Sequence, residues 1–370
     1  MELRGKTVLV IGLKRTGVSV ARFVASLGGR VRVADRQGPD GLAPELARLE
    51  GVPLDVRLGT EDPGVLAGVE LVVPSPGVPR NAPLLRAAVC QRVPIWSEIE
   101  LASRFLSCPI LAVTGTNGKS TTTTLLGELL RQHGRRVFVG GNLGTPLLDA
   151  VAGHYEVAVA EVSSFQLEWV ERFRPRIGLL LNLTEDHLDR HGNFAVYGMT
   201  KRALLIGQEP ADWAVINRDD PEVLALSRGL PGRVFSFGWT PVPQGAWIDV
   251  GTLILRHEGR QTRHALDRLQ LHGRHNLENV MAAVSAATLW GVDPQVVARV
   301  LATFSGLPHR LALVAKKHGV NYFDDSKGTN VGAVVQSLAS FTGPVILLAG
   351  GVDKGGDYAP LRPLVRAKVK

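Results

Sequence analysis

Residues 110–126 read ILAVTGTNGKSTTTTLL: an apolar run, a glycine-rich turn, and a polar stretch that leads into leucines. A strand, a glycine-rich turn and a helix N-terminus together form an anion site, because backbone N–H groups and the positive end of the helix dipole face the ligand. Lys119 can reach the β- and γ-phosphates of a nucleotide there, and the Ser120 hydroxyl can ligate Mg²⁺. Val113 replaces the first glycine of the strict G-x-x-x-x-G-K-[ST] pattern, so we predict a variant phosphate-binding loop. The predicted loop comprises Gly115, Thr116, Asn117, Gly118, Lys119, Ser120 and Thr121.

A second glycine-rich turn follows the first predicted strand, KTVLVIG. Gly12 and Gly17 match the first and last glycines of the dinucleotide fingerprint G-x-G-x-x-G, and Asp35 matches its acidic residue. Lys14, however, stands at the middle glycine position, where the backbone should approach a pyrophosphate. The pattern therefore favours the fold over NAD binding, and Lys14 and Arg15 at a helix start can hold another anion.

The elements that must position these turns are Val-rich strands alternating with helices, which is typical of a parallel α/β sheet. The helix STTTTLLGELLRQHG should end at Gly134 as a C-cap. Residues 233–271 are more β-like, with Pro and Gly turns, which predicts a small antiparallel sheet beside the main one. After the helix NLENVMAAVSAATLWG come VNYFDDSK and a helix from about Asn330 to Phe341. The other predicted strands are RVRVADR, VELVVPSPG, VPIWSEIE, CPILAVTG, RRVFVGG, YEVAVAEVSS, RIGLLLNLTEDH and DWAVINRDDP.

The length of 370 residues indicates two or three domains. We predict a first domain over residues 1–97, a central domain over 98–306 and a third over 307–370. The third is about half as long as a doubly wound domain normally is, so we expect it to be incomplete.

The chain carries a formal charge of +8, but its basic residues are scattered rather than clustered with aromatic ones. This pattern favours small anionic ligands over nucleic acid. Cys90 and Cys108 are too far apart for a zinc motif, and we expect both to be small apolar core residues. No apolar run approaches the ~20 residues of a transmembrane helix, and the first one is too short for a signal peptide. The composition therefore predicts a cytoplasmic protein.

Further motifs follow in a fixed order: TGTNGKST, GGNLG, AEVSSFQLE, LNLTEDHLDRHG, YGMTKR, LHGRHNLENVMAA and GLPHR. This ordered set, which runs over the entire chain, resembles the Mur ligase family, the ATP-dependent amide-forming ligases of bacterial cell-wall precursor synthesis. The resemblance implies an α/β fold of three domains. These are a Rossmann-like N-terminal domain, a central P-loop ATPase-type parallel sheet with a small antiparallel side sheet, and an incomplete Rossmann-like C-terminal domain. DDSKGTN at 324–330, VIGLKRTG and VVPSPGVP resemble the branch of the family that adds D-glutamate.

The activity implied by the resemblance is ADP-forming ligation of D-glutamate to UDP-N-acetylmuramoyl-L-alanine through an acyl phosphate. The implied cofactors are ATP and two Mg²⁺ ions, with Mn²⁺ as an alternative metal. The implied protein is a monomer that inserts into no membrane and binds no nucleic acid.

The family's functional residues map onto this sequence by motif. The implied catalytic residues are Lys119, Glu161, His187 and Lys201. The implied metal ligands are Ser120, Glu161, His187 and Lys201, the lysine as a carbamate formed with CO₂. ATP would also meet Asn276, Asn279, Arg310 and Asp325. The UDP-substrate residues are Leu13, Lys14, Arg15, Thr16, Asp35, Arg36, Gly77, Asn142, Ser163 and His187. The D-glutamate residues are Lys327, Thr329 and Lys354.

Other interpretations stay open at this point. A sister ligase could add another amino acid, although DDSKGTN argues against it. The short third domain makes a truncated, non-catalytic binder of UDP-sugar and ATP an alternative. An NAD dehydrogenase leaves the phosphate loop unexplained, and a nucleic-acid-dependent ATPase lacks a basic, aromatic-containing stretch.

Overall fold

The computed structural model describes residues 2–271, 273–352 and 357–370. The chain forms two compact units, one of Met1–Ile110 with Phe138–Pro175 and one of Leu111–Val137 with Arg176–Lys370. The strands, in chain order, are β1 (Thr7–Ile11), β2 (Arg30–Asp35), β3 (Leu54–Leu58), β4 (Leu71–Pro74), β5 (Ile110–Thr114), β6 (Val137–Gly141), β7 (Val157–Glu161), β8 (Ile177–Leu180), β9 (Trp213–Asn217), β10 (Arg233–Gly238), β11 (Gly245–Asp249), β12 (Thr252–His257), β13 (Arg260–Ala265), β14 (Ala312–Lys317) and β15 (Val320–Asp324). The α-helices are α1 (Arg15–Ser26), α2 (Ala43–Ala47), α3 (Pro83–Cys90), α4 (Glu98–Ser103), α5 (Lys119–Gln132), α6 (Ser164–Leu167), α7 (Leu188–His191), α8 (Phe194–Ile206), α9 (Pro221–Leu226), α10 (Arg274–Trp290), α11 (Pro294–Thr303), α12 (Val331–Ala339) and α13 (Arg362–Lys368).

The first unit contains a four-stranded parallel sheet in the order β3-β2-β1-β4. Helix α1 buries Gly17, Val20, Ala21 and Val24, a spacing of three to four residues that places them on one face. Strands β6 and β7 of this unit are also neighbours. The N-terminal Rossmann-like arrangement of strand, turn, helix and strand is thus present.

The second unit is built on a sheet in which β5, β8, β9, β10 and β11 are successive parallel neighbours. The order continues with β12 and β13, which pair antiparallel with their neighbours. The antiparallel strands predicted in residues 233–271 are therefore β11, β12 and β13, at the edge of the parallel sheet, whereas β10 in the same range pairs parallel with both of its neighbours. Helix α5 ends at Gln132, and Gly134 follows in the left-handed conformation expected of a C-cap glycine, with φ +83°.

The buried helix α10 packs against α5 and against β9 and β10. Its small residues, among them Ala282, Ala283, Ala286 and Ala287, are fully buried. Small side chains let the helix lie close to α5, which begins at the phosphate loop.

The C-terminal part of the second unit contains the antiparallel pair β14–β15, followed by α12 and α13. The predicted helix from about Asn330 is confirmed as α12, with Asn330 as its N-cap. Among the residues described, no helix has both the length and the apolar character needed to cross a membrane.

Two expectations were wrong. VPIWSEIE forms no strand: Ile95 makes a single bridge with Val72, and α4 starts at Glu98 because the Ser97 hydroxyl caps it. Cys90 is not a core residue but is exposed, since it lies at the end of α3, and Cys108 is only partly buried. The three-domain boundaries stay a prediction.

Candidate active site

The predicted phosphate loop joins the buried strand β5 to the N-terminus of α5, as expected of an anion site. Gly115 has φ +154°, and a Cβ there would lie 3.0 Å from the Leu181 Cβ. Gly118 has φ +83°, and a Cβ there would lie 2.0 Å from Asn279 Oδ1. At both positions a side chain would be strained by the positive φ and would crowd a neighbouring group, so glycine is favoured for both reasons.

Two lysines converge on this loop. Lys119 Nζ donates to the carbonyl oxygens of Gly115 and Thr116 at 3.0 and 2.8 Å. Lys201 is 1% exposed, and its Nζ donates to the same Gly115 oxygen at 2.8 Å. The ammonium group of Lys201 also lies 4.6 Å from the ring centroid of Tyr197, in cation–π contact. The structure thus brings two of the predicted catalytic residues to one peptide group.

Asn182 holds the loop through its backbone and its side chain. Its carbonyl oxygen accepts from the Thr116 N–H at 3.0 Å, and its Oδ1 accepts from the Asn117 N–H at 2.8 Å. Its Nδ2 donates to the Asn117 carbonyl oxygen at 3.1 Å. Sequence reasoning missed Asn182, although it lies within LNLTEDHLDRHG, just after β8. Its position at the carboxyl edge beside β5 was the available signal.

Tyr197 is a second residue that sequence reasoning missed, although it belongs to YGMTKR. Its hydroxyl lies 3.1 Å from Thr116 Oγ1, which in turn accepts from the Thr184 N–H at 3.0 Å. Burial raises the pKa of the Tyr197 hydroxyl far above its usual value, and Asp186 adds to the rise. Tyr197 is therefore a neutral hydrogen-bonding group that fixes the loop.

Asn276 and Asn279, predicted to share one face of a helix, lie near the start of α10 and are 7% and 4% exposed. Asn279 Nδ2 donates to Asn276 Oδ1 at 3.2 Å, and Thr122 Oγ1 donates to Asn279 Oδ1 at 3.4 Å. Together with the close approach to Gly118, this places both amides beside the loop. Their contact with adenine stays a prediction.

Arg310 reaches the same loop, since its guanidinium donates to Ser120 Oγ at 2.9 Å. The two residues beside it are held by the DDSK segment. His309 Nδ1 lies 2.5 Å from Asp324 Oδ2, and the Leu311 N–H donates to Asp325 Oδ1 at 2.9 Å. The Ser326 N–H and His309 lower the pKa of the Asp324 carboxyl to about 2. The segment thus fixes the backbone from which Arg310 extends.

Asp325 was predicted to meet ATP. Besides accepting from Leu311, its carboxylate accepts a bond from the Ser337 hydroxyl on α12. In this arrangement the Asp325 carboxylate ties together three parts of the C-terminal segment, and its role toward ATP stays a prediction.

His187 is the N-cap of α7, with a left-handed backbone at φ +53°. Its Nε2 lies 3.7 Å from Asp186 Oδ2, and its N–H donates to Asp186 Oδ1 at 3.0 Å. A carboxylate beside an imidazole fixes the orientation of the ring. The pair is positioned by the LTEDH stretch that follows β8.

Among the described residues, no hydrogen bond or ion pair joins the side chain of Lys327 or Thr329, two of the predicted D-glutamate residues, to the loop. Lys327 and Thr329 are exposed in the turns before α12, and the Lys327 N–H donates to the His309 carbonyl oxygen. Lys354 lies outside the described residues.

In the first unit, the turn after β1 brings several predicted UDP-substrate residues together. Gly17 is required because a Cβ there would lie 2.1 Å from the Gly12 carbonyl oxygen. Asp35 Oδ2 accepts from the Leu13 N–H at 2.9 Å, so this carboxylate shapes the turn. Lys14 Nζ lies 3.2 Å from Glu45, and the Arg15 guanidinium donates to a backbone oxygen, that of Gly144.

The other residues of this unit that are predicted to bind the UDP-substrate lie on separate elements. Thr16 lies in the first turn of α1, Arg36 is exposed after β2, and Gly77 is exposed in the turn after β4. Ser163 caps α6 in a reciprocal capping box with Gln166. The Ser163 hydroxyl is therefore engaged in helix capping.

Glu161 ends β7 and is 3% exposed. Its Oε1 accepts from Asn142 Nδ2 at 2.6 Å, whereas Oε2 is buried without a hydrogen-bond partner among the described residues. A Cβ on Gly141, which has φ +93°, would lie 2.4 Å from the Glu161 carbonyl oxygen. The GNLG turn thus packs directly on Glu161 and brings Asn142 to its carboxylate.

The chain is similar to known proteins over its whole length. The Mur ligase middle domain matches residues 113–287, and the Mur ligase MurD-like N-terminal domain matches residues 6–97. The UDP-N-acetylmuramoylalanine–D-glutamate ligase of Geobacter metallireducens is 46% identical, and that of Geotalea daltonii is 47% identical. Each match covers 100% of this chain and 82% of the relative. The chain belongs to the Mur ligase family.

A solved Mur ligase structure supports the fold. The murein peptide ligase Mpl of Psychrobacter arcticus has a TM-score of 0.57 at 19% identity, over 90% of this chain and 75% of that one. The predicted family and α/β fold class are confirmed. As a Mur ligase the chain is an ATP-dependent, amide-forming enzyme, which decides against the dehydrogenase and the nucleic-acid-dependent ATPase.

Proposed function

We propose that this chain ligates D-glutamate to UDP-N-acetylmuramoyl-L-alanine, with ATP converted to ADP and phosphate, in peptidoglycan precursor synthesis. The observation that carries the proposal is the identity of 46% and 47% to two D-glutamate ligases over the whole chain. The phosphate loop, with Lys119, Lys201 and Arg310 around it, supports the use of a nucleotide.

The reaction takes two steps. A carboxylate oxygen of the UDP-substrate attacks the γ-phosphorus of ATP, which releases ADP and leaves an acyl phosphate. The amine of D-glutamate then attacks the acyl carbon, loses a proton, and expels phosphate as the amide forms. The first step brings two anions together, so it needs cations and N–H donors that are already in place. The loop N–H groups, Lys119 and Arg310 would serve this purpose.

The residues predicted to hold Mg²⁺ fit that ion in donor chemistry. Mg²⁺ is usually bound through one or two carboxylates together with substrate phosphates and water, so a dense cluster of ligands is unnecessary. Within the described residues there is no group of three or more His, Cys, Asp or Glu suited to a metal. Glu161 Oε2 is a buried acceptor without a partner there, and the Ser120 hydroxyl lies at the loop. Glu161 and Ser120 would hold one Mg²⁺, which would neutralise phosphate charge when bound.

Lys201 and His187 would hold the second metal ion, with Mn²⁺ as an alternative to Mg²⁺. An ammonium group cannot ligate a metal, so Lys201 would act as a carbamate formed with CO₂. The side chain is buried beside Gly115 and Tyr197, which gives a fixed and sheltered position for such a group.

The other predicted residues would bind the remaining parts of the substrates. The turn that carries Leu13, Lys14, Arg15 and Thr16, with Asp35, Arg36 and Gly77, would hold the UDP group. Asn142, Ser163 and His187 would face the sugar–peptide part of the substrate. Asn276, Asn279 and Asp325 would meet the nucleoside part of ATP, and Lys327, Thr329 and Lys354 would meet D-glutamate. The enzyme would act as a monomer in the cytoplasm.

The test is phosphate release by the purified chain with ATP, Mg²⁺ and UDP-N-acetylmuramoyl-L-alanine. D-glutamate, L-glutamate, L-alanine and no amino acid are compared. We expect release with D-glutamate alone, together with a product whose mass equals that of the D-glutamyl adduct. Release with another amino acid would instead favour a sister ligase. Binding of both nucleotides without release would favour the non-catalytic binder.

A further inference from the structure

Asn330 contacts three separate parts of the second unit at once. Its Nδ2 lies 3.2 Å from Asn117 Oδ1 in the phosphate loop and 3.2 Å from Asp186 Oδ2. Its Oδ1 accepts from the Ala333 N–H at 2.8 Å and so caps α12. Both amide protons and the amide oxygen are therefore engaged.

The backbone beside Asn330 is shaped for this contact. A Cβ on Gly332 would lie 3.3 Å from Thr184 Oγ1 and 3.4 Å from Asn117 Nδ2, which is tighter than most ordinary Cβ contacts. The first turn of α12 therefore lies directly on the loop and on the strand-end segment that follows β8. A glycine at 332 lets the helix approach this closely.

The two residues that accept hydrogen bonds from the Asn330 amide, Asn117 and Asp186, belong to different parts of the candidate active site. Asn117 belongs to the phosphate loop, and its backbone is held by Asn182. Asp186 contacts the imidazole of His187 at 3.7 Å. A single carboxamide thus joins the loop to the Asp186–His187 pair, and it does so from the C-terminal segment.

We propose that Asn330 is a positioning residue that fixes the position of the phosphate loop relative to the Asp186–His187 pair. It acts through Asn117 and Asp186 and does not itself touch the reacting atoms. The proposal rests on the proposed function, because that function gives the loop and His187 their roles. Its consequence is that the C-terminal segment contributes to ATP use as well as to amino-acid binding.

The capping and linking roles of Asn330 can be separated by substitution. Ser and Asp are good N-cap residues, so Asn330→Ser and Asn330→Asp keep an acceptor for the Ala333 N–H. Both remove the two N–H donors, and Asp also puts a second carboxylate beside Asp186. Asn193→Ser is the matched control, because Asn193 is exposed and caps α8 through the Val196 N–H at 2.9 Å.

Two measurements are compared across wild type, Asn330→Ser, Asn330→Asp and Asn193→Ser. The first is steady-state ligation with D-glutamate. The second is the rise in thermal midpoint caused by ATP with Mg²⁺, which requires no ligation. For Asn330→Ser we expect about a tenfold loss of kcat, a raised KM for ATP, and an unchanged KM for the UDP-substrate. Its midpoint without nucleotide should match that of Asn193→Ser, and Asn330→Asp should lose at least as much kcat.

Equal kcat, equal KM for ATP and equal ATP-induced midpoint shifts in Asn330→Ser and Asn193→Ser would overturn the proposal, because Asn330 would then be only a helix cap. Failure of the proposed function looks different. In that case wild type would form no D-glutamyl product, whereas the nucleotide-induced midpoint shifts would still decide whether Asn330 positions the loop.

Discussion

The ammonium group of Lys201 donates a hydrogen bond to the carbonyl oxygen of Gly115 over 2.8 Å. Lys119, from the loop itself, donates to the same oxygen over 3.0 Å. Two cations from distant parts of the sequence therefore meet at one peptide of the phosphate loop. The Gly115 peptide is thus a point at which α8 contacts the phosphate loop.

Replacing Lys201 should abolish turnover while leaving the fold largely intact. Met has a similar length and no charge, so Lys201→Met keeps the packing beside Tyr197 but removes the cation and any carbamate. We expect kcat to fall by about 100-fold or more, which is typical of losing a group that stabilises transition-state charge. Steady-state ligation measures the effect, and circular dichroism checks the fold. A folded Lys201→Met enzyme with kcat within tenfold of wild type would contradict the assignment.

Gly118→Ala should weaken ATP binding because of a collision with Asn279. A Cβ at 118 would lie 2.0 Å from Asn279 Oδ1, so the amide must move away from the loop. Gly134→Ala is the matched control, because Gly134 has the same φ of +83° and a Cβ there would meet nothing within 4 Å. Both variants should lose about 1 kcal/mol of unfolding free energy through left-handed backbone strain.

The two glycine variants should differ in their use of ATP. We expect the KM for ATP to rise about tenfold or more in Gly118→Ala and to stay near wild type in Gly134→Ala. Equal KM values for ATP in the two would show that the contact between Gly118 and Asn279 has no part in nucleotide binding.

Asn182→Ala should loosen the loop, because both side-chain bonds to the Asn117 backbone disappear. We expect kcat/KM for ATP to fall about tenfold or more, because the partly buried Asn117 N–H loses its side-chain partner. Asn217→Ala is the control: Asn217 ends strand β9, and its side chain likewise accepts from a backbone N–H, that of Asp219, at 3.0 Å. If both variants lose stability but kcat/KM for ATP falls in neither, Asn182 is purely structural.

Glu98→Gln should change how stability depends on pH. Burial raises the pKa of the Glu98 carboxyl from 4.5 to about 7, and nearby Asp149 adds to this. Below pH 4.5 the carboxyl is protonated in both states. Between pH 4.5 and about 7 it ionises only in the unfolded chain, so the free energy of unfolding of the wild type falls over that range.

Because glutamine does not titrate, the free energy of unfolding of Glu98→Gln minus that of wild type should rise by about 2–3 kcal/mol between pH 5 and pH 8. Urea denaturation at both pH values measures it. The exposed Glu61→Gln is the control for the loss of one carboxylate. A difference between Glu98→Gln and wild type that is the same at both pH values would mean that Glu98 is not buried as described.

The parts of the fold that could be predicted from sequence are those in which local pattern and local contacts agree. β5, the phosphate loop and α5 follow from one continuous stretch, in which apolar residues form the strand and glycines form the turn. The helix capped by Asn330 was likewise predictable, since a polar cap residue precedes its apolar residues. The strand prediction for VPIWSEIE was wrong because its apolar residues suit a strand, whereas Ser97 caps a helix that begins at Glu98.

The contacts that complete the site could not be predicted because they join residues far apart in sequence. Nothing local indicates that Asn330 binds Asn117, or that Tyr197 binds Thr116. In the sequence, Asn182 is one polar residue after a predicted strand, and nothing local indicates its bonds to Asn117. The motifs identified which residues matter, but their partners depend on how β5 and β8 pair and on where α12 packs.

The most direct test of the central claim follows the oxygen atoms of the substrate. UDP-N-acetylmuramoyl-L-alanine labelled with ¹⁸O in its carboxylate is incubated with the chain, ATP, Mg²⁺ and D-glutamate. If the carboxylate attacks the γ-phosphate of ATP, the phosphate released with D-glutamyl product carries one ¹⁸O atom. Released phosphate that contains only unlabelled oxygen would contradict the acyl-phosphate ligation assigned to this chain.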